Sequence, residues 1–451
     1  MNGLANFIIK FRKPILVTFI ILVLINVALI PMVRVNYNMI DYLPTDAQST
    51  KALEIMEEEF SGNNPNTSVV IHDVSLTQSL EYKNLLMNLE GVEDVIWLDD
   101  MVDIGQPIET MDPDLVEGYY KNGHALFSVT VSEGMESETI GKIRDLIGES
   151  NGVTGQGADS ADMQEATNKE VLNAAIILLP AIIVLLIIST TSWLEPLLFL
   201  AAIGVAILMN MGTNIFFGEI SFVTNSISPI LQLAVSLDYA IFMLHSFSSF
   251  REKYDDVECA MAHAISSSMS TIMASAATTL FGFIALTFMK FGIGMDLGFN
   301  LAKGIIFSFL SCVIFLPALV LRVYKLLDKT EHRPFLPSFK NVNSILSKMV
   351  LPAVLLVIIA IVPSFLGKNH TEFIYGNGNT DPATINGYNR MMVIEEFGEN
   401  TSMVLLVPTG DIATEEALSR DLKDHAQVKN VISYTNTVDT TIPKDILDED
   451  I

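Results

Sequence analysis

Seven stretches of this 451-residue chain are each long and apolar enough to cross a membrane, and nothing else constrains its folding as tightly. A helix needs about 20 mostly apolar residues to cover roughly 30 Å of hydrocarbon. The stretches run from Pro14 to Val33, Leu172 to Thr190, Leu194 to Phe217, Ile227 to Phe247, Met269 to Met289, Leu297 to Leu321 and Met349 to Leu366. A bare backbone cannot be satisfied in lipid, so each is expected to be an α-helix. The predicted class is a polytopic α-helical membrane protein.

The charge is segregated from these runs. The chain carries 26 Lys+Arg against 52 Asp+Glu, a net charge of −26, although 50% of its residues are hydrophobic. Residues 36–168 hold 26 acids and 5 bases, net −21, and residues 368–451 hold 15 acids and 6 bases, net −9. Two acidic, water-exposed domains are expected on those segments. A field of this sign repels phosphate backbones, which excludes nucleic acid as a partner. Cys259 and Cys312 are the only cysteines, one in a polar connector and one in an apolar run, so no disulfide scaffold is expected.

Basic residues flanking spans stay in the cytoplasm. Lys10, Arg12 and Lys13 precede the first span, and Arg322, Lys325, Lys329, Arg333, Lys340 and Lys348 lie between the sixth and seventh. The expected organisation is a cytoplasmic segment 1–13, a span 14–33, an extracytoplasmic domain 34–171, a five-span bundle 172–321, a cytoplasmic linker 322–348, a span 349–366 and a second extracytoplasmic domain 367–451. The expected location is the cell membrane, with both acidic domains outside. The first span is read as an uncleaved anchor, being longer than a usual signal core.

The two outer segments resemble each other. Met56 to Ile71 matches Val393 to Val407, and Gly91 to Ile108 matches Gln427 to Lys444. Val92 and Val428, Val95 and Val431, Val102 and Val438, Asp103 and Asp439, and Pro107 and Pro443 all differ by 336; Phe60 and Phe397 differ by 337. A parallel duplication is a known transporter plan with its site between the halves. The second copy is expected to be incomplete, since a full duplication would give roughly 700 residues and about 12 spans. In the first copy a helix at Ala47 to Phe60 is followed by strand Ser68 to His72, helix Gln78 to Leu89, strand Val92 to Leu98, strand Ala125 to Val131, helix Ser137 to Ser150 and a Gly-rich last strand. That order predicts a ferredoxin-like, split βαβ sandwich.

Polar groups inside spans carry the functional information. Asp238 lies about 11 residues into its span, about 16 Å deep at 1.5 Å per residue and near the bilayer midplane. An ionised Asp there costs on the order of 3 kcal/mol, which makes it the deeply buried acid of the chain and a candidate proton carrier. Tyr239 beside it is a candidate partner, and His245, seven positions on, shares its helix face. In the fifth span Ser268, Thr271, Ser275, Thr278, Thr279 and Gly282 recur at helical spacing, a small hydroxylic face able to support a proton relay or simply to pack. Gln232 and Ser236 are expected to bond between helices, and Asn210, Asn214 and Asn300 to act as local glue. Phe250 to His263 reads as a short amphipathic helix on the inner surface. No catalytic or metal-binding constellation is visible, so no enzyme activity, cofactor or metal is expected.

One span, an external α/β domain, five spans and then the same again, with an Asp-Tyr pair in the fourth span, resembles the resistance-nodulation-division (RND) superfamily and, within it, the MMPL-type transporters. The likeness rests on Asp41-Tyr42-Leu43-Pro44, Glu59-Phe60, Glu396-Phe397-Gly398, Leu237-Asp238-Tyr239, Thr278-Thr279 with Gly282-Phe283, and Leu316-Pro317-Ala318-Leu319. It implies a porter-type external domain and proton-driven export of lipids or other amphiphiles. Asp238 and Tyr239 would be the relay, supported by His245, Ser275, Thr278 and Thr279. The chain departs from the family at Ala234, where a Gly is frequent, and at Ser246, and it lacks the second Asp-Tyr pair that the family carries in a tenth span. Transport is therefore expected to need the other half, or a second copy in a homo-oligomer. The partners implied are the bilayer, an amphiphilic substrate and protons. The other readings are a non-transporting receptor resembling sterol-sensing domains and a protein-export accessory subunit.

Overall fold

The computed structural model describes residues 2–59, 65–102, 104–105, 107, 111, 113–333, 335, 342–369, 384–398, 403–408, 411–428, 431 and 433–437. Phe60, Asp103, Val438, Asp439 and Pro443, which enter the repeat comparison, lie outside these residues. The described chain forms two units, residues 1–47 with 160–378 and residues 48–159 with 379–451.

The first unit is helical. In chain order it contains α1 (Asn2–Lys10) and α2 (Arg12–Leu29), then, beyond the second unit's first segment, the end of the 34-residue α8 (Gln156–Ser189), α9 (Glu195–Gly212), α10 (Phe222–Arg251), α11 (Val257–Leu286), α12 (Gly292–Leu310), α13 (Leu316–Lys329) and α14 (Val342–Asn369). A single π-helical turn, Ser311–Phe315, joins α12 to α13, so Gly292–Lys329 reads as one apolar run. Among the described residues seven helices are long and apolar enough to cross a membrane. They overrun the hydrophobic stretches because a helix continues into water wherever caps and side chains satisfy its ends. At one end of the bundle a parallel pair, β1 (Arg34–Asn36) and β7 (Glu219–Ser221), ties the chain after α2 to the chain before α10. Gly212 lets α2 and α9 touch, since a Cβ there would lie 2.4 Å from the Asn26 carbonyl oxygen.

Phe250 to His263 is not a separate helix. Helix α10 runs to Arg251, and Asp256 accepts from the Glu258 and Cys259 amides at 3.3 and 3.2 Å to start α11 at Val257. An N-cap five residues after a helix end leaves room only for a turn, so the amphipathic pattern belongs to the ends of two spans.

The second unit is built on a sheet. Its elements are α3 (Gln48–Glu59), β2 (Thr67–Ile71), α4 (Leu76–Met87), β3 (Val92–Ile96), α5 (Leu98–Met101), α6 (Pro113–Tyr119), β4 (Tyr120–Lys121), β5 (His124–Val131), α7 (Glu136–Ile147) and β6 (Gly152–Thr154), followed from the second copy by α15 (Ile385–Phe397), α16 (Ile412–Lys423) and α17 (Tyr434–Thr437). The strand order is β3-β5-β2-β6, every pair antiparallel, with β4 added to the end of β5. Val69, Val70, Ile71, Phe127, Val129 and Trp97 are buried in its core. Ser75 and Gln78 form a capping box that starts α4. Helix α16 starts on Asp411. Both ends of α16 and its cap lie 336 residues after those of α4. The residues matching β2, Met403 to Val407, form no strand, and Met403 is 88% exposed.

At the end of the β2–β5 ladder, His72 and His124 face each other with their Nδ1 atoms 3.0 Å apart. One ring must donate and the other accept, so a second proton breaks the contact. Burial first, and then the neighbouring His124, hold His72 below the ordinary histidine value. A lowered histidine stabilises the fold fully above its unfolded value of about 6.5, and this is lost as the pH falls through the folded value. Followed by Trp97 fluorescence in a Trp193→Phe background, the second unit is expected to melt at lower temperature at pH 5 than at pH 7.5, and His72→Gln to flatten that difference.

Candidate functional site

The site is organised by α10, whose two sides differ sharply. Toward the bundle it buries Ser228, Gln232, Ser236, Tyr239, Met243 and Phe247. On the other side Ile227, Ala234, Asp238, Phe242, His245 and Ser249 are exposed. Successive members of that stripe are seven, four, four, three and four residues apart, the spacing of one helix face. Asp238 and His245 thus share a face, and the face points out of the bundle.

Asp238, expected near the middle of its span, has its side chain on the outer face of the unit. Asp238 is exposed and makes no hydrogen bond or ion pair with any described residue. Among the described residues the enclosed carboxylate of the unit is Glu195, 5% exposed at the start of α9, where it accepts from the Thr191 amide at 3.1 Å. Depth along a span follows from counting residues, whereas the face does not, because lipid and bundle interior are both apolar.

Tyr239 turns the opposite way. It is fully buried, with its hydroxyl directed toward Thr279 of α11. The α11 hydroxyls are turned onto their own helix. Thr278 donates to the Ala274 carbonyl at 2.6 Å, Thr279 to Ser275 at 3.1 Å and Ser268 to Ala264 at 2.7 Å. Ser275 is half-buried and Thr278 exposed, and none of the four bonds to Asp238 or His245.

Behind Asp238 lies a polar network that ties α9, α10 and α12. The Asn210 amide nitrogen donates to Gln232 Oε1 at 3.0 Å and Asn300 Oδ1 at 3.1 Å. Ser228 donates to Asn300 Oδ1 at 2.6 Å, and Asn300 donates to Asn214 Oδ1 at 2.5 Å. Gln232 donates to the Gly304 carbonyl at 3.0 Å and Ser308 at 3.1 Å, while Ser236 donates to Ser308 at 2.6 Å. Gly304 makes room for it, since a Cβ there would meet Asn210 Nδ2 at 2.9 Å. The asparagines, Gln232 and Ser236 thus do the bonding between helices expected of them.

One member of the network is new. Lys303 donates to the Asn210 carbonyl at 3.1 Å and to Asn214 Oδ1 at 2.5 Å, with its ammonium 4.8 Å from the Phe217 ring centroid. It lies inside the sixth apolar run, and a lone cation in such a run is a sequence signal of a functional or bonded group. At the adjoining end Asp296 accepts the Ser221 amide at 2.7 Å. Burial, and then the nearby carboxylates of Asp296, Glu219 and Asp41, raise Tyr42 above the ordinary tyrosine value. Among the described residues no group of three or more His, Cys, Asp or Glu could hold a metal ion.

The sequence profile of the MMPL family matches residues 41–325, well over half of the chain. This chain belongs to the MMPL family of multi-pass membrane proteins. It is 25% identical over 305 residues to the "Probable transport protein MmpL12" of Mycobacterium tuberculosis, covering 62% of this chain and 26% of that protein. It is 24% identical over 301 residues to the "Putative membrane protein ActII-3" of Streptomyces coelicolor, covering 62% of this chain and 40% of that protein. The "Putative membrane protein MJ1562" of Methanocaldococcus jannaschii is 29% identical over 113 residues, covering 25% of this chain and 27% of that protein. The chain thus spans between about a quarter and two fifths of these relatives' lengths. Among solved structures a heavy metal efflux pump aligns with TM-score 0.40 and 14% identity, covering 61% of this chain and 37% of that one.

Proposed function

We propose that the chain is part of a proton-driven exporter of lipids or other amphiphiles, with Asp238 as the proton carrier. The observation that carries this is Asp238 on the open face of α10, with Tyr239 buried directly behind it and its hydroxyl directed toward Thr279 of α11. Acidic residues in spans almost always face other helices or a water-filled cavity, so an Asp on an open face calls for a further bundle to cover it. The parallel sequence repeat supports a second five-span half in that role, with the carboxyl at the seam between halves. His245 lies on the same seam, and Thr279, which the Tyr239 hydroxyl approaches, stands on α11 with Ser275 and Thr278 within one turn of it. Asp41, Glu219 and Asp296, gathered at one end of the bundle, suit a mouth that attracts cations.

The strand order of the second unit, with a helix after its first strand and another after its third long strand, supports the ferredoxin-like, porter-type reading of residues 34–171. Placement of that domain outside the cell rests on the basic residues around the first span and the linker after the sixth.

The test is substrate movement in sealed vesicles carrying an imposed pH gradient. A labelled amphiphile is expected to cross only while the gradient lasts, with the rate falling to background when a protonophore collapses it. Amphiphile binding that is indifferent to the gradient, with no movement in either condition, would overturn transport and indicate a lipid receptor.

A further inference from the structure

Helix α1 is apolar on two sides. Ala5 and Ile8 are buried, and α1 packs on α11 and α13. Away from the bundle Leu4, Phe7 and Phe11 are exposed at spacings of three and four, with the Phe7 and Phe11 rings 5.0 Å apart. A helix held to protein on one side and presenting an aromatic stripe on the other suits the plane of a membrane surface.

Beside it opens a cavity of about 700 Å³ lined by Asn6, Lys10, Arg12, Lys13 and Glu258, among others. Three cations thus face one carboxylate. That carboxylate is already committed, since Arg12 Nη1 lies 2.5 Å from Glu258 Oε1. Lys10 and Lys13 have no carboxylate within 4.0 Å among the described residues, and Lys10 Nζ lies 5.5 Å from the Phe11 ring centroid. The neighbouring cleft of about 330 Å³ is acidic, lined by Asp255, Asp256 and Glu258 around the same Arg12. An anion is therefore favoured in the first cavity and repelled from the second. A concave, positive site bordered by an exposed apolar stripe matches a molecule with an anionic head and apolar tails, and it adjoins the start of the first span.

We propose that this cavity holds the phosphate headgroup of an acidic phospholipid, from the leaflet in which α1 lies. Lys10 and Lys13 pair with the phosphate, Asn6 donates a hydrogen bond, and the acyl chains run along Leu4, Phe7 and Phe11. Arg12 keeps its bond to Glu258 and fixes the wall of the site.

The test is native mass spectrometry of the full 451-residue chain released from bilayer discs of mixed phosphatidylglycerol and phosphatidylcholine. The wild-type chain is expected to retain phosphatidylglycerol well above its share of the bilayer. Lys10→Gln with Lys13→Gln should reduce that enrichment roughly 25-fold, about five-fold for each lysine. Lys10→Gln alone should give the five-fold step, and Lys10→Arg with Lys13→Arg should keep the enrichment. Equal retention of the two lipids by the wild type, or full enrichment in either glutamine variant, would overturn the proposal. Displacement of the lipid by millimolar inorganic phosphate would overturn the lipid as the source of the headgroup.

Discussion

Asp238→Asn is expected to reduce gradient-driven substrate movement by on the order of a hundred-fold or more, the range over which a positioned proton carrier acts, while leaving insertion and melting unchanged. The structural reason for the second half of that statement is direct. Asp238 makes no bond to any described residue, so the isosteric amide removes nothing from the bundle. It also relieves the cost, on the order of 3 kcal/mol, of an ionised acid at a span's centre, so insertion does not suffer. What the amide lacks is the ability to gain and lose a proton. The measurement is amphiphile movement in vesicles with a pH gradient, beside a melting curve of the same sample. Movement at the wild-type rate in the asparagine variant would remove Asp238 from the mechanism.

Asn300→Leu is expected to destabilise the membrane unit by about 2–4 kcal/mol. The side chain accepts from Asn210 and Ser228 and donates to Asn214, all within the packed meeting of α9, α10 and α12. Hydrogen bonds inside membrane proteins average only about 0.6 kcal/mol each, which sets the low end for three of them. Groups left buried without partners cost about 1–3 kcal/mol apiece, which sets the high end. The loss would be read as a fall in unfolding midpoint in detergent. A change below about 0.5 kcal/mol would mean that the network rearranges around the leucine.

Much of the fold is legible in the sequence, for identifiable reasons. Apolar length marks the spans because lipid demands it, and capping residues such as Ser75, Asp256 and Asp411 mark helix starts because they act on amides two or three positions away. What is not legible is direction across the chain. Asp238, Tyr239 and Ser236 lie within four residues of one another, yet the first faces out and the other two face in. In a water-soluble helix the polar side would have given this away. In an apolar bundle it does not, so Glu195 and Asn300 could be read as polar residues in spans but not as enclosed ones. Lys303 is legible as the one lysine in the sixth apolar run, but its partners Asn210 and Asn214 are not, because they come from other elements. The face of α10 becomes readable only with all of its neighbours in place, and the network behind it only once α9 and α12 are packed.

The sheet order also sets a timetable. Strand β2 is one of the two inner strands of the sheet, and both strands that flank it, β5 and β6, follow it in the chain by more than fifty residues. At a synthesis rate of about 5–20 residues per second, Val69, Val70 and Ile71 wait several seconds for their first partner. During that interval the emerging domain offers an apolar, unpaired edge to whatever strand comes near. For this protein the hazardous step in biogenesis is therefore as much the pause between β2 and β5 as the passage of its apolar helices into the bilayer.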